Sequence, residues 1–204
     1  MVVSWPGAQL SEKLIYNMQH IEPYYQWRHL YMSEEDPLSP FHGREYSEFE
    51  FSQTIYNYYI HPQWDDFGSN TLYLKILFAD YEEGYAIIEL LGEWNDAINN
   101  DIMTLKREII DVLIDEGISK FILIAENVLN FHSSDDSYYE EWNEDISDEG
   151  GWIVMLNLPE HLYREMKQVG INRYAFFQEY EEWRTHQAQM VFQKVEEQLL
   201  KRIG

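Results

Sequence analysis

Few residues in this 204-residue chain stand at spacings that suggest chemistry, and the densest group is a hydroxyl-carboxylate run. Ser133 and Ser134 precede Asp135 and Asp136, and Glu140, Glu141, Glu144 and Asp145 follow at near-helical intervals. Such serines could accept phosphate, or could serve as plain helix N-caps. The acids could form an interaction surface or a weak divalent-cation surface. They lack the alternating Asp-x-Asp-x-Asp-Gly register of an EF-hand, and a solvated helix face is the plainer reading. Seven histidines are scattered without ligand-like pairs. Glu182 and His186 lie four apart on an expected helix, but two ligands on an exposed helix are usually an ordinary polar pair. No Gly-rich phosphate loop, G-x-S-x-G elbow or H-E-x-x-H motif occurs, and no cysteine supplies a thiol. We therefore assign no catalytic residue, no metal and no cofactor, and read the chain as non-enzymatic.

The net charge of −23 is uneven, because residues 80–150 hold 20 acidic and 3 basic side chains. That surface repels phosphate backbones and argues against nucleic acid. It favours basic protein patches or divalent cations as partners. No apolar run approaches the roughly 18 residues of a membrane span. The opening Met1-Val-Val-Ser-Trp-Pro6 lacks a basic segment followed by an apolar one. With no cysteine to form disulfides, a cytoplasmic location is expected.

The elements that must position these residues begin at Thr71. Leu72, Leu74, Ile76 and Phe78 alternate as a half-buried strand, Glu82-Glu83-Gly84 turns, and Tyr85 to Leu91 returns as a hairpin partner. Asn100 is placed to cap a helix bearing Ile102, Leu105, Ile109, Val112 and Leu113, which Gly117 ends. Phe121 to Ala125 suits a strand buried on both faces. A helix follows in the acidic stretch, then strand Trp152–Leu156, a helix with Pro159 in its first turn, and strand Tyr174–Phe177. A final helix is expected from about Glu179, with Trp183, Ala188, Val191, Val195 and Leu199 on one side. Residues 1–70 form an aromatic-rich extension packed on the 71–177 domain, with 178–204 as a C-terminal helix. Within the extension, Ser11 is placed to cap a helix over Leu14, Ile15 and Met18, and residues 46–60 alternate like strands.

With the order β-β-α-β-α-β-α-β-α in hand, residues 85–177 resemble the STAS, or SpoIIAA-like, family of anti-sigma-factor antagonists. Ile87-Ile-Glu-Leu-Leu-Gly-Glu-Trp-Asn95 is similar to the family's strand ending in L-x-G-E-L-D. Lys120 to Ser134 looks like its strand and phosphorylation loop, and Gly150 to Phe177 like its closing G-G-strand-P-helix-G-strand segment. The resemblance implies a mixed-sheet α/β fold and a protein partner, with Ser134 at the phosphorylated position. The family's aspartate before that serine is Ser133 here, and its glycine two places after is Asp136. A kinase-operated switch is therefore not expected.

These observations give a non-catalytic protein-interaction or regulatory domain as the leading reading. The alternative is a small-molecule or lipid-binding module with an aromatic-lined pocket between the sheet and residues 1–70. The apolar stripe of the last helix must be covered, either by the chain's own sheet or by a second copy. A monomer is favoured over a homodimer through this helix.

Overall fold

Every one of the eleven residues from Tyr85 to Asn95 is buried, which only a central strand covered on both faces can achieve. The computed structural model describes residues 20–47 and 49–203, so the helix expected over Leu14, Ile15 and Met18 lies outside the described residues. A two-rung hairpin comes first, β1 (Thr54–Ile55) with β2 (Tyr58–Tyr59). The main sheet contains β3 (Leu72–Asp80), β4 (Tyr85–Asn95), β5 (Lys120–His132), β6 (Trp152–Leu156) and β7 (Phe176–Gln178). Its strands lie side by side in chain order. β3 and β4 are antiparallel and every later neighbour is parallel, giving the mixed α/β sheet expected from the sequence.

Parallel neighbours need crossovers, and helices supply them. α1 (Asp96–Asn99), α2 (Asp101–Leu105), a π-helical turn (Lys106–Ile110) and α3 (Asp111–Asp115) join β4 to β5. α4 (Ser137–Ser147) joins β5 to β6, and α5 (Glu160–Gln168) joins β6 to β7. Ile102, Leu105, Ile109, Trp142, Leu162 and Met166 from these helices share one core with Leu74, Ile88 and Leu123 of the sheet. On the opposite face, Val191, Val195 and Leu199 of α6 (Ala188–Ile203) pack with Trp27 and Trp183 against Tyr85, Ile87, Ile122 and Val154. The apolar stripe is therefore covered within the chain. A third cluster seats Ile55, Ile60 and Trp64 against Tyr73, Leu91 and Leu129.

Several expected boundaries move. The last helix is 16 residues rather than one beginning near Glu179. Trp183 lies on a separate 3-10 turn (Glu181–Thr185), and the extended backbone of His186 breaks the helix before Ala188. Asn100 is left-handed, with φ 53°, and makes no side-chain cap; Asn95 instead caps α1 through a 3.0 Å bond from the Ile98 amide to its Oδ1. Pro159 is itself the N-cap of α5. β5 runs to His132 instead of ending at Ala125, because β4 continues beside it as far as Asn95. The strands expected across 46–60 shrink to two residues each.

Candidate functional site

The segment Gly92-Glu93-Trp94-Asn95, at the carboxyl end of β4, is buried and organises the surface around it. Gly92 has φ 115°, and a Cβ there would lie 2.1 Å from the Thr71 carbonyl and 2.8 Å from Ile55 Cδ1. Only glycine lets the hairpin and the start of β3 approach so closely. Glu93, though buried, accepts a bond from the Tyr56 hydroxyl on Oε2 and one from Asn130 Nδ2, at 2.8 Å, on Oε1. Hairpin and β5 are thereby joined through one carboxylate.

The next carboxylates hold the turn rigid. Asp96 is buried and accepts from Trp94 Nε1 and the Ile102 amide on Oδ1, both at 2.9 Å, and from the Tyr139 hydroxyl on Oδ2. Burial pushes its carboxyl up to about 6, against the pull of those three bonds. Asp101 accepts from Ser69 Oγ at 2.7 Å and the Asn95 amide at 2.6 Å. With these lone pairs engaged, both acids act as internal caps for the turn. On top of it stands Ile98, 83% exposed, the most exposed isoleucine among the residues whose burial is described.

Two open grooves flank α1. One, of about 630 Å³, lies beside the β1–β2 hairpin and includes Tyr56, Ser69, Asn70, Asn95 and Asn99. The other, of about 480 Å³, runs from Ala97 past Asn130, Phe131 and Ser133 to Glu165 and Val169. The first has two tyrosines, Tyr56 and Tyr73, in its walls, and neither groove is lined by tryptophan. Trp64, Trp94, Trp142 and Trp183 are all fully buried.

The acidic run ends up divided. Ser133 lines the second groove and Ser134 is exposed, its hydroxyl 3.4 Å from the Asp135 carbonyl. Neither serine caps α4, which corrects the plain N-cap reading; Asp136 occupies that position, and Asp135 Oδ1 receives the Ser137 amide at 3.0 Å. The physical reason is that β5 runs on to His132, so α4 begins only at Ser137. Asp136 Oδ2 accepts from Arg173 and from the Tyr174 hydroxyl. Glu141 takes a bidentate pair of bonds from Arg107, at 2.6 and 2.9 Å, and Asp145 receives Lys106 Nζ at 2.7 Å. Lys106 is fully buried, and burial alone would pull its pKa down. Its bonds to Asp111 and Asp145 carry it above the ordinary lysine value. Glu140 and Glu144 stay exposed. Among the described residues, no three His, Asp or Glu side chains form a group that could hold a metal ion. Glu182 and His186 do not pair as ligands: His186 Nδ1 meets the Glu182 backbone carbonyl, and Lys194 Nζ lies 2.8 Å from Nε2.

Comparison with known proteins follows the same line. No family model and no curated protein matches the chain. Solved structures are similar to part of it. One is the Bacillus cell-fate determinant SpoIIAA in its phosphorylated form, 11% identical, covering 60% of this chain and 98% of that one with a TM-score of 0.42. Another is the anti-sigma-factor antagonist SpoIIAA in its unphosphorylated form, 15% identical, covering 60% and 97% with a TM-score of 0.43. No helix among the described residues is long and apolar enough to cross a membrane.

The sequence reading missed Glu93, Ile98 and Asn130 as site residues, and took Tyr56 only as part of the alternating 46–60 segment. The signal for Glu93 was on view in the Gly92-Glu93 pair. The signal for Ile98 was a lone large apolar residue inside Asn95-Asp-Ala-Ile-Asn-Asn100, a stretch otherwise suited to a turn.

Proposed function

We propose that this chain is a non-catalytic regulatory domain that docks another protein on the carboxyl end of its sheet, without a serine phosphorylation switch. The observation that carries this reading is Ile98, held out in solvent on a turn fixed from beneath by Asn95, Asp96 and Asp101. A large apolar side chain on a preorganised ridge between grooves loses little conformational entropy on binding, the property of an interface anchor. Val169 and Ala97 extend the apolar contact, and Asn130, Ser133 and Glu165 provide a polar rim.

The acid-rich region 80–150 suits a partner with a basic face. Association is then faster at low ionic strength, because the steering field is screened within about 10 Å at 0.1 M salt. Ile98→Asp tests the assignment. Partner retained by the native protein on purification from its host is expected to be lost from Ile98→Asp and kept by Leu200→Asp, a change at another exposed apolar residue, 62% accessible. Equal retention by both variants contradicts the reading.

A further inference from the structure

We propose that the groove between the β1–β2 hairpin and the start of β3 binds a neutral polyhydroxylated ligand of the saccharide class. It is a separate inference, independent of any protein partner.

The groove's chemistry selects the ligand. Among the described residues lining it, none is basic and Asp66 is the single acid, so neither a phosphate nor a carboxylate finds a counter-charge. The remaining walls are hydroxyls, amides, two tyrosines and Ile98. Amides offer a donor and an acceptor side by side, the pattern that pairs with neighbouring hydroxyls on one sugar ring. Three such groups have capacity to spare. Gln53 Oε1 is buried without a hydrogen-bond partner. Asn99 uses Nδ2 on Thr71 Oγ1 at 3.2 Å, and neither its Oδ1 nor the Asn70 side chain has a hydrogen bond among the described residues.

The second observation is Tyr56. It occupies the hairpin turn at φ 50°, a left-handed conformation that a tyrosine rarely adopts and that asparagine or glycine would take more readily. Strain of this kind persists where surrounding structure imposes it, and here the bond to Glu93 does so. Tyr56 as a whole is 58% exposed and lines the groove, and its ring is a flat apolar platform with its polar end already tied down. Stacking of a sugar face on such a ring, with amides gripping its edge, is the expected pose.

The test uses the intact chain with maltotriose, cellotriose and triacetylchitotriose as probes, and inositol hexakisphosphate as an anionic control. Binding is read from amide shifts in two-dimensional NMR. At least one trisaccharide should shift amides of Gln53, Asn70 and Asn99 with a Kd near 1 mM, and the anion should not. Tyr56→Ala should weaken that binding about tenfold, in line with the worth of an aromatic contact. Should Tyr56→Ala disturb the hairpin, Asn70→Ala, at an exposed residue, carries the test and should also weaken binding. No shift with any trisaccharide at about 20 mM, well above that Kd, overturns the proposal. So does binding that is indifferent to Asn70→Ala and Tyr56→Ala, or tighter binding of the anion at these residues.

Discussion

Tyr56 and Glu93, 37 residues apart in the chain, are joined by a 2.5 Å bond from phenol hydroxyl to carboxylate, and Asn130 shares the same carboxylate from the other side. That bond raises the Tyr56 hydroxyl to about 12, with partial burial adding to it. It also fixes the hairpin to the sheet's carboxyl end. Tyr56→Phe removes it and should lower stability by about 1 kcal/mol. In a domain of this size that corresponds to a fall in Tm of roughly 2–4 °C. Thermal melting checks it, and an unchanged Tm would mean that the hairpin is held by Ile55 and Ile60 alone.

Glu89 gives the fold a pH dependence. It is fully buried in β4, accepting the Tyr24 amide at 2.8 Å and Arg184 Nη2 at 3.2 Å. Burial pushes its carboxyl up to about 7, beyond what those bonds and Arg184 can offset. In the unfolded chain it titrates near 4.3. Between those values the folded state holds a proton that the unfolded state has released, so stability falls as pH rises from about 4.3 to 7. Glu89→Gln should flatten the curve across that window, and the native protein should lose up to about 4 kcal/mol relative to it, at 1.4 kcal/mol per pKa unit. Denaturant midpoints measured from pH 4 to 8 for both proteins decide the matter. A native curve that rises with pH, or is unaffected by Glu89→Gln, would contradict this.

Val195 and Leu199 are buried by the chain's own sheet. Changing both to Glu places two unpaired charges in that core, each costing a few kcal/mol, and should lower Tm by several degrees or more. The mass measured by light scattering should remain that of a monomer in both proteins. A native dimer that dissociates on mutation would make α6 an assembly element instead.

How much of this was legible beforehand follows from which forces act locally. The hairpin β3–β4, the parallel strands after it and their helices were readable because apolar spacing reports burial directly. Asn100 misled because asparagine is at home both as a cap and in the left-handed conformation, and the choice went to Asn95 through tertiary contact with Asp101. The 46–60 segment misled differently: its alternating aromatics suit a strand, yet Tyr56, Tyr58 and Tyr59 stay largely exposed. Glu93 stood out in the sequence beside Gly92, but its role as a link could not be read there, since Tyr56 and Asn130 reach it from distant parts of the chain.

Protein isolated from its host should carry no stoichiometric phosphate on Ser133 or Ser134. Asp135 and Asp136 already charge the loop, and Arg173 is committed to Asp136. A phosphate there meets like charge rather than a free partner. Intact-mass and peptide spectra check this, and substantial modification of either serine would restore a kinase-operated switch.

The claim that the carboxyl end of the sheet docks a protein is tested most directly by site-specific photo-crosslinking in the host. A benzophenone amino acid replacing Ile98 should give a discrete higher-mass adduct containing one partner protein, with a weaker one from position 169. The same probe at Leu200, exposed on the opposite face, should give none. A probe at 98 that yields no protein adduct, or the same adducts as the probe at 200, would contradict the account.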